Sequence, residues 1–146
     1  MPGLEIRSLA LPCAGLDLLR LEASTEGFRF LERLVADWDN GGNRFDRLGE
    51  RFAGAFIGKH LVAVGGLARD PYIEAGTVGR LRHLYVLSAY RRCGVGSALV
   101  ADLLRHAGGV FTLVRLRTDR EQAARFYARL GFRAIADPTA SHSRPV

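Results

Sequence analysis

The chain has only two cysteines, Cys13 and Cys93, in 146 residues. They stand far apart and belong to no Cys-x-x-Cys pair or Cys/His ligand spacing. That excludes a disulfide scaffold, leaves two free thiols in a reducing compartment as the expectation, and gives no reason to expect a metal. Lysine is nearly missing: Lys59 is the sole one, so the net charge of +6 is carried by arginine. The arginines form no tract, running from Arg7 to Arg144 with Arg91-Arg92 as the one adjacent pair. Without an arginine-rich helix or an aromatic-interleaved patch, no nucleic-acid partner is expected. No apolar run approaches the length of a membrane span. The nearest thing to a signal peptide is "LALPCAGL", where Glu5 occupies the would-be basic region and Asp17 and Arg20 break the run early. These absences leave a soluble, cytoplasmic protein with no membrane partner as the expectation.

Apolar residues make up 48% of the chain and charged ones 25%, as in an ordinary globular protein. The length suits one domain spanning residues 1–146, with a core that needs no staple. "LEIRSL" alternates as a strand does, and "GLDLLRLEAS" and "FRFLERLVADW" carry helical spacing, with Phe28, Leu31, Leu34 and Val35 on one face. After the polar loop "DNGGNRFD", "RFAGAFI" and "HLVAVGGLA" read as a hairpin turned by Gly58-Lys59. "GRLRHLYVL" is a further strand, followed by a helix that runs to about Ala107. "VFTLVRLR" is again a strand, and "REQAARFYARL" a helix capped by Thr118 or Asp119 and closed by Gly131. "FRAIA" is the last clear strand, and a seventh around Ser141 to Arg144 would be brief. This order predicts an α/β (α+β) fold with a mixed sheet of six to seven strands flanked by about four helices.

One stretch asks for an explanation. "YRRCGVGSALVADLL" sets two arginines and two closely spaced glycines where a helix must begin. A helix N-terminus has unpaired N–H groups and a partial positive charge. Glycines at positions 94 and 96 clear side chains from those amides, and Arg91 and Arg92 add donors shaped for phosphate oxygens. The spacing lacks the ending of a P-loop and the third glycine of a dinucleotide fingerprint. Taken alone, a glycine-softened helix start is the simpler reading.

A second stretch agrees with the first. "RLRHLYVLSAYRRCGVGSALVADLL" followed by "LVRLRTDREQAARFYARLGFRAI" resembles the two motifs of the GNAT superfamily of acyl-CoA-dependent N-acyltransferases: an R/Q-x-x-G-x-G/A loop, then an A-x-x-x-Y-x-x-x-G-F helix and strand. The resemblance covers Arg80 to Ile135. It implies a GNAT-like sheet whose parallel strands splay around the pantetheine of acetyl-CoA, the expected co-substrate. It also implies that the amides of Cys93, Gly94, Val95, Gly96 and Ser97, flanked by Arg91 and Arg92, hold the pyrophosphate. An amide among Tyr85, Val86 and Leu87 would face the thioester oxygen. Tyr127 matches the motif tyrosine and would protonate the departing thiolate, although its helical spacing alone, shared with Phe126, suits a core residue.

The chain departs from the family pattern at three points. No carboxylate lies between Thr77 and Val86, where many members carry a general base, so His83 becomes the candidate, with Glu74 or a water chain as alternatives. Arg120 stands where asparagine is frequent, and Ser88 replaces a common proline. For the acceptor, Asp37, Asp39, Asp46, Asp70 and Glu74 could attract a cationic amine between Trp38 and Tyr72, and Arg44 could instead meet a carboxylate. The expected activity is acetyl transfer to a primary amine of a small molecule or a protein; the alternative is a non-catalytic acyl-CoA sensor of the same fold. A homodimer is left open.

Overall fold

The computed structural model describes residues 3–146. Seven strands form one sheet: β1 (Leu4–Ser8), β2 (Arg51–Ile57), β3 (His60–Arg69), β4 (Val78–Val86), β5 (Leu113–Leu116), β6 (Arg133–Ala134) and β7 (His142–Pro145). Their spatial order is β1-β2-β3-β4-β5-β7-β6. The helices are α1 (Leu16–Thr25), α2 (Phe30–Asn40), α3 (Val95–Ala107) and α4 (Glu121–Arg129), with a short 3₁₀ turn at Ser88–Tyr90. The expected mixed α/β architecture is what the chain adopts. The brief last strand exists too, inserted between β5 and β6. Two local expectations fail. Phe28 lies outside α2, and α4 starts after Arg120 with no side-chain cap, the Thr118 hydroxyl accepting from the Arg120 N–H ahead of the helix.

β3 explains why the sheet sits at the centre. Its residues Leu61 to Ala68 are buried without interruption, the pattern of a strand covered on both faces. A Cβ at Gly65 would meet Leu99 and Leu103 of α3, while one at Gly66 would run into the Phe45 ring. Neighbouring residues of a strand face opposite sides, so α3 covers one face, and Phe45, stacked on Trp38 of α2, covers the other. The buried stripe of α3, Val95, Leu99, Val100, Leu103 and Ala107, recurs at helical spacing. Trp38 is therefore part of a core cluster with Phe45 and Phe52 rather than an acceptor wall.

Two irregularities in β4 set up everything that follows. Between the pairs Val64–Tyr85 and Gly66–Arg82, β4 spends one residue more than β3, and the bulge puts His83 at φ 60 in the left-handed region. On its other side β4 runs parallel to β5 only from Val78 to Arg80. Beyond Arg80 the two strands part.

At the parting point sit two buried arginines, since Arg80 pairs with Arg115 across the strands. Asp70 lies between them, its Oδ2 3.3 Å from Arg80 Nη1 and 3.4 Å from Arg115 Nε. Arg80 also donates to the Thr139 carbonyl at 2.8 Å, and Arg115 pairs with Asp137 at 3.1 Å. Asp70 is thus spent on holding the fork and is not the loop carboxylate for an amine. Replacing Asp70 with alanine would leave two buried cations undercompensated, so unfolding free energy should fall by about 3 kcal/mol or more, read by urea denaturation.

Candidate functional site

The gap between β4 and β5 has a wall of unused main chain. Leu87 N–H donates to the Val62 carbonyl at 2.9 Å, so its amide faces β3. Antiparallel pairing alternates, which points Tyr85 towards β3 as well and Val86 into the gap. Of the three amides expected at the thioester, Val86 is the one presented; that of Leu87 is already occupied.

At the mouth of the gap the chain turns through the 3₁₀ segment into α3. Arg92 has φ 62 and Gly94 φ 86, two left-handed residues that swing the loop so α3 starts facing the gap. The N–H groups of Cys93, Gly94, Val95, Gly96 and Ser97 donate to no acceptor among the described residues; the first bonded one is Ala98, to the Gly94 carbonyl at 3.0 Å. A Cβ at Gly94 would meet nothing, so glycine is needed there for its backbone conformation. At Gly96 space is tight: a Cβ would lie 3.3 Å from the Phe126 ring and 3.5 Å from Val86, so the ring would have to give slightly. That contact brings α4 against the head of α3 and closes the far side of the mouth. Cys93 is exposed, its thiol turned to the Tyr90 carbonyl at 2.8 Å with no base beside it.

The two arginines of the loop behave differently. Arg92 is exposed and makes no hydrogen bond or ion pair among the described residues. Arg91 folds back. Its Nε donates to the Val86 carbonyl at 2.9 Å, and Nη1 and Nη2 reach the two oxygens of Glu26 at 3.1 and 2.7 Å. Glu26, which caps the C-terminus of α1, and Glu22, one turn earlier in it, both meet the Tyr85 hydroxyl, at 2.6 and 2.7 Å. Glu22 also accepts from the N–H and hydroxyl of Ser88, at 2.7 and 3.1 Å. The Arg91 bonds hold the Glu26 carboxyl below its ordinary range; at Glu22 burial pulls upward, and the bonds from Tyr85 and Ser88 outweigh it. Burial and the two carboxylates drive the Tyr85 phenol up. None of these partners for Tyr85 and Arg91 was foreseen. Glu22 and Glu26 share a helix face by spacing, but no local signal says what they meet 59 to 66 residues later.

Tyr127 is 9% exposed, edge-on to Phe126 at 5.1 Å and Phe132 at 5.6 Å between ring centres. Its hydroxyl has no partner among the described residues, yet it is not sealed from solvent. Burial raises its pKa, so the phenol stays protonated throughout the neutral range. Arg120, at the head of α4, lies over the Phe28 ring at 4.1 Å, bridging the gap to the turn between α1 and α2. Among the loop residues considered for an acceptor, Arg44 donates to the Trp38 carbonyl at 2.7 Å, and Tyr72 lies exposed over Arg80.

His83 is packed near Phe30 and Phe45, and its Nδ1 is buried without a partner. Burial, with help from Arg82 and Arg33, lowers its pKa to about 3. It is neutral at pH 7, but too weak a base to take a proton from an ammonium ion. An unfolded His83 is protonated from about pH 6.5 downwards, so acid favours the unfolded chain between that value and the folded one. Unfolding free energy should fall by up to about 1.4 kcal/mol per pH unit from pH 6 to pH 5. A His83→Gln variant should lose most of that slope in denaturant titrations.

Comparison with known proteins fits this geometry. A structure from Exiguobacterium sp. 255-15, named as an acetyltransferase, is 28% identical with a TM-score of 0.85, over 97% of this chain and 93% of that one. Ard1 from Thermoplasma volcanium shares the fold at 22% identity and a TM-score of 0.70, over 99% and 98% of the two chains. Arabidopsis thaliana NAA60, solved in complex with a bisubstrate analogue, does so at 18% and 0.68, over 96% and 94%. No curated protein matches the chain. No helix among the described residues is long and apolar enough to cross a membrane, and none of their acidic, histidine or cysteine side chains cluster as a metal site would require. The model of the acetyltransferase (GNAT) family matches residues 16–132, and with most of its length matched the chain belongs to that family.

Proposed function

We propose that the protein is an N-acetyltransferase moving an acetyl group from acetyl-CoA directly to a primary amine. The observation that carries this reading is the run of five unused N–H groups at the head of α3, set beside the unpaired edge of β4. Such a run suits a diphosphate, and Arg92 is free to join it. An exposed strand edge suits the amide groups of a pantetheine arm. Acetyl-CoA, once bound, supplies the acyl group already activated as a thioester. The other partner in this reading is a primary amine, of a protein or a small molecule; the NAA60 complex with a bisubstrate analogue fits a fold that takes two substrates together.

The chain's own part in the chemistry is modest and specific. Val86 N–H, fixed in the strand, is the donor for the oxygen on which charge develops. Tyr127, held neutral by burial, hydrogen-bonds the leaving sulfur. Because a thiol has a pKa of about 8.5 and the raised phenol lies above 10, full proton transfer is uphill. Its contribution is therefore chiefly stabilisation of the thiolate, with the final proton coming from solvent. With His83 so weakly basic, the acceptor amine sheds its proton to water.

The alternative, a non-catalytic acyl-CoA sensor, is favoured by one observation: β4 carries no carboxylate and His83 has little affinity for a proton. Thiol release from acetyl-CoA across a panel of amines and short peptides separates the two. The enzyme should turn over at least one amine, with a rate that rises with pH until that amine is neutral. Coenzyme A binding without turnover of any amine supports the sensor, and no binding overturns both.

Two variants sharpen the test. Gly96→Val should weaken coenzyme A binding at least about a hundredfold in calorimetry while the far-ultraviolet spectrum keeps its shape, since the β-branched side chain would crowd Phe126 and stand before the amides. Tyr127→Phe should lower kcat by roughly ten- to a hundredfold and leave KM for acetyl-CoA nearly unchanged.

A further inference from the structure

Arg91 is the first residue of the phosphate-loop motif, and it points away from the loop. Three of its N–H groups are committed: Nε to the Val86 carbonyl at 2.9 Å, Nη1 and Nη2 to Glu26 at 3.1 and 2.7 Å. Its guanidinium also lies over the Tyr85 ring at 5.3 Å and 3.9 Å from Glu22. A planar guanidinium gripped by a carboxylate through both terminal nitrogens is strongly oriented. Glu22 completes the fastening by taking the Ser88 N–H and hydroxyl, the first donors of the 3₁₀ turn that leads into the loop.

We infer that Glu26, with Glu22, is a positioning residue for acyl-CoA: through Arg91 and Ser88 it fixes the phosphate loop and the Val86 edge to α1, and Arg92 is the arginine that meets the diphosphate. This rests on the acyl-CoA reading above. The loop needs such a brace. Arg92 sits in the left-handed region, which an L-residue does not favour unaided, whereas Gly94 takes it freely. The loop's own amides cannot hold it, because they are kept free. A carboxylate pair on a packed helix supplies the hold from outside. The same brace keeps the Val86 carbonyl bonded, so that of the two polar groups Val86 turns into the gap, only the N–H stays available.

The test is a double-mutant cycle on coenzyme A binding, read by calorimetry with Glu26→Gln, Arg91→Gln and the double variant. Each single change should weaken binding about five- to twentyfold, and the double change no more than the worse single one, because both remove the same fastening. Arg92→Gln should weaken binding independently, its loss multiplying with that of Glu26→Gln. For Glu26→Gln the KM for acetyl-CoA should rise by a similar factor and kcat should fall as well, because the same brace fixes the Val86 edge. Thermal melting of each variant checks that the fold persists, and the conservative Arg91→Lys should not rescue affinity, since the fork is lost. Unchanged or tighter binding by Glu26→Gln overturns the inference, as does a far larger loss from Arg91→Gln than from Glu26→Gln, which would put Arg91 on the phosphate. If the wild type itself fails to bind coenzyme A, the acyl-CoA reading falls first and this one with it.

Discussion

The structure turns on how soon β4 and β5 stop pairing. Three residue pairs hold them together, the last of them Arg80 with Arg115, and beyond that pair the strands diverge. Buried cations side by side repel each other and are expensive to strip of water. Asp70 and Asp137 offset that cost at the fork itself. The exposed edge of β4, the placement of α3 over it and the approach of α4 from the far side all follow from that geometry.

A net charge of +6 spread over arginine suggests a surface looking for anions. The three-dimensional arrangement says otherwise for several of these residues. Arg20, Arg51, Arg80, Arg91 and Arg115 each have acidic partners within the chain. What matters for an anionic ligand is the cation left over at the right place, and in the loop before α3 that is, among the described residues, Arg92. Arginine suits both duties because its planar fork can brace a carboxylate or present a charge without losing it by titration.

Much of the fold was legible in the sequence because its strongest signals are local. The hairpin around Gly58-Lys59, the apolar run of β3 and the spacing of Val95, Leu99, Val100 and Leu103 are written in adjacent residues. So is the glycine pair at the head of α3, whose two members turn out to act differently, one through backbone angle and one through closeness to Phe126. The bulge at His83 was not legible, because an extra residue in a strand shows only against its partner's register. Nor was the fate of Asp70 or of Glu22 and Glu26. Their partners lie on other elements, and a loop carboxylate reads the same from sequence whether it waits for a ligand or is buried under two guanidinium groups. His83 is the clearest case: an imidazole suited to proton transfer by its ordinary pKa loses that capacity through its surroundings.

The open side of β4 has a further consequence for what can pair with it. Unpaired strand edges recruit strands from other molecules, and long flat ones seed aggregates. Here the free stretch is short, kinked by the bulge at His83, overlooked by Phe126 and plugged at one carbonyl by the Arg91 side chain. A neighbouring polypeptide would have to thread its backbone past Phe126 and the Arg91 side chain, so the recess admits a slender arm more readily than a second strand.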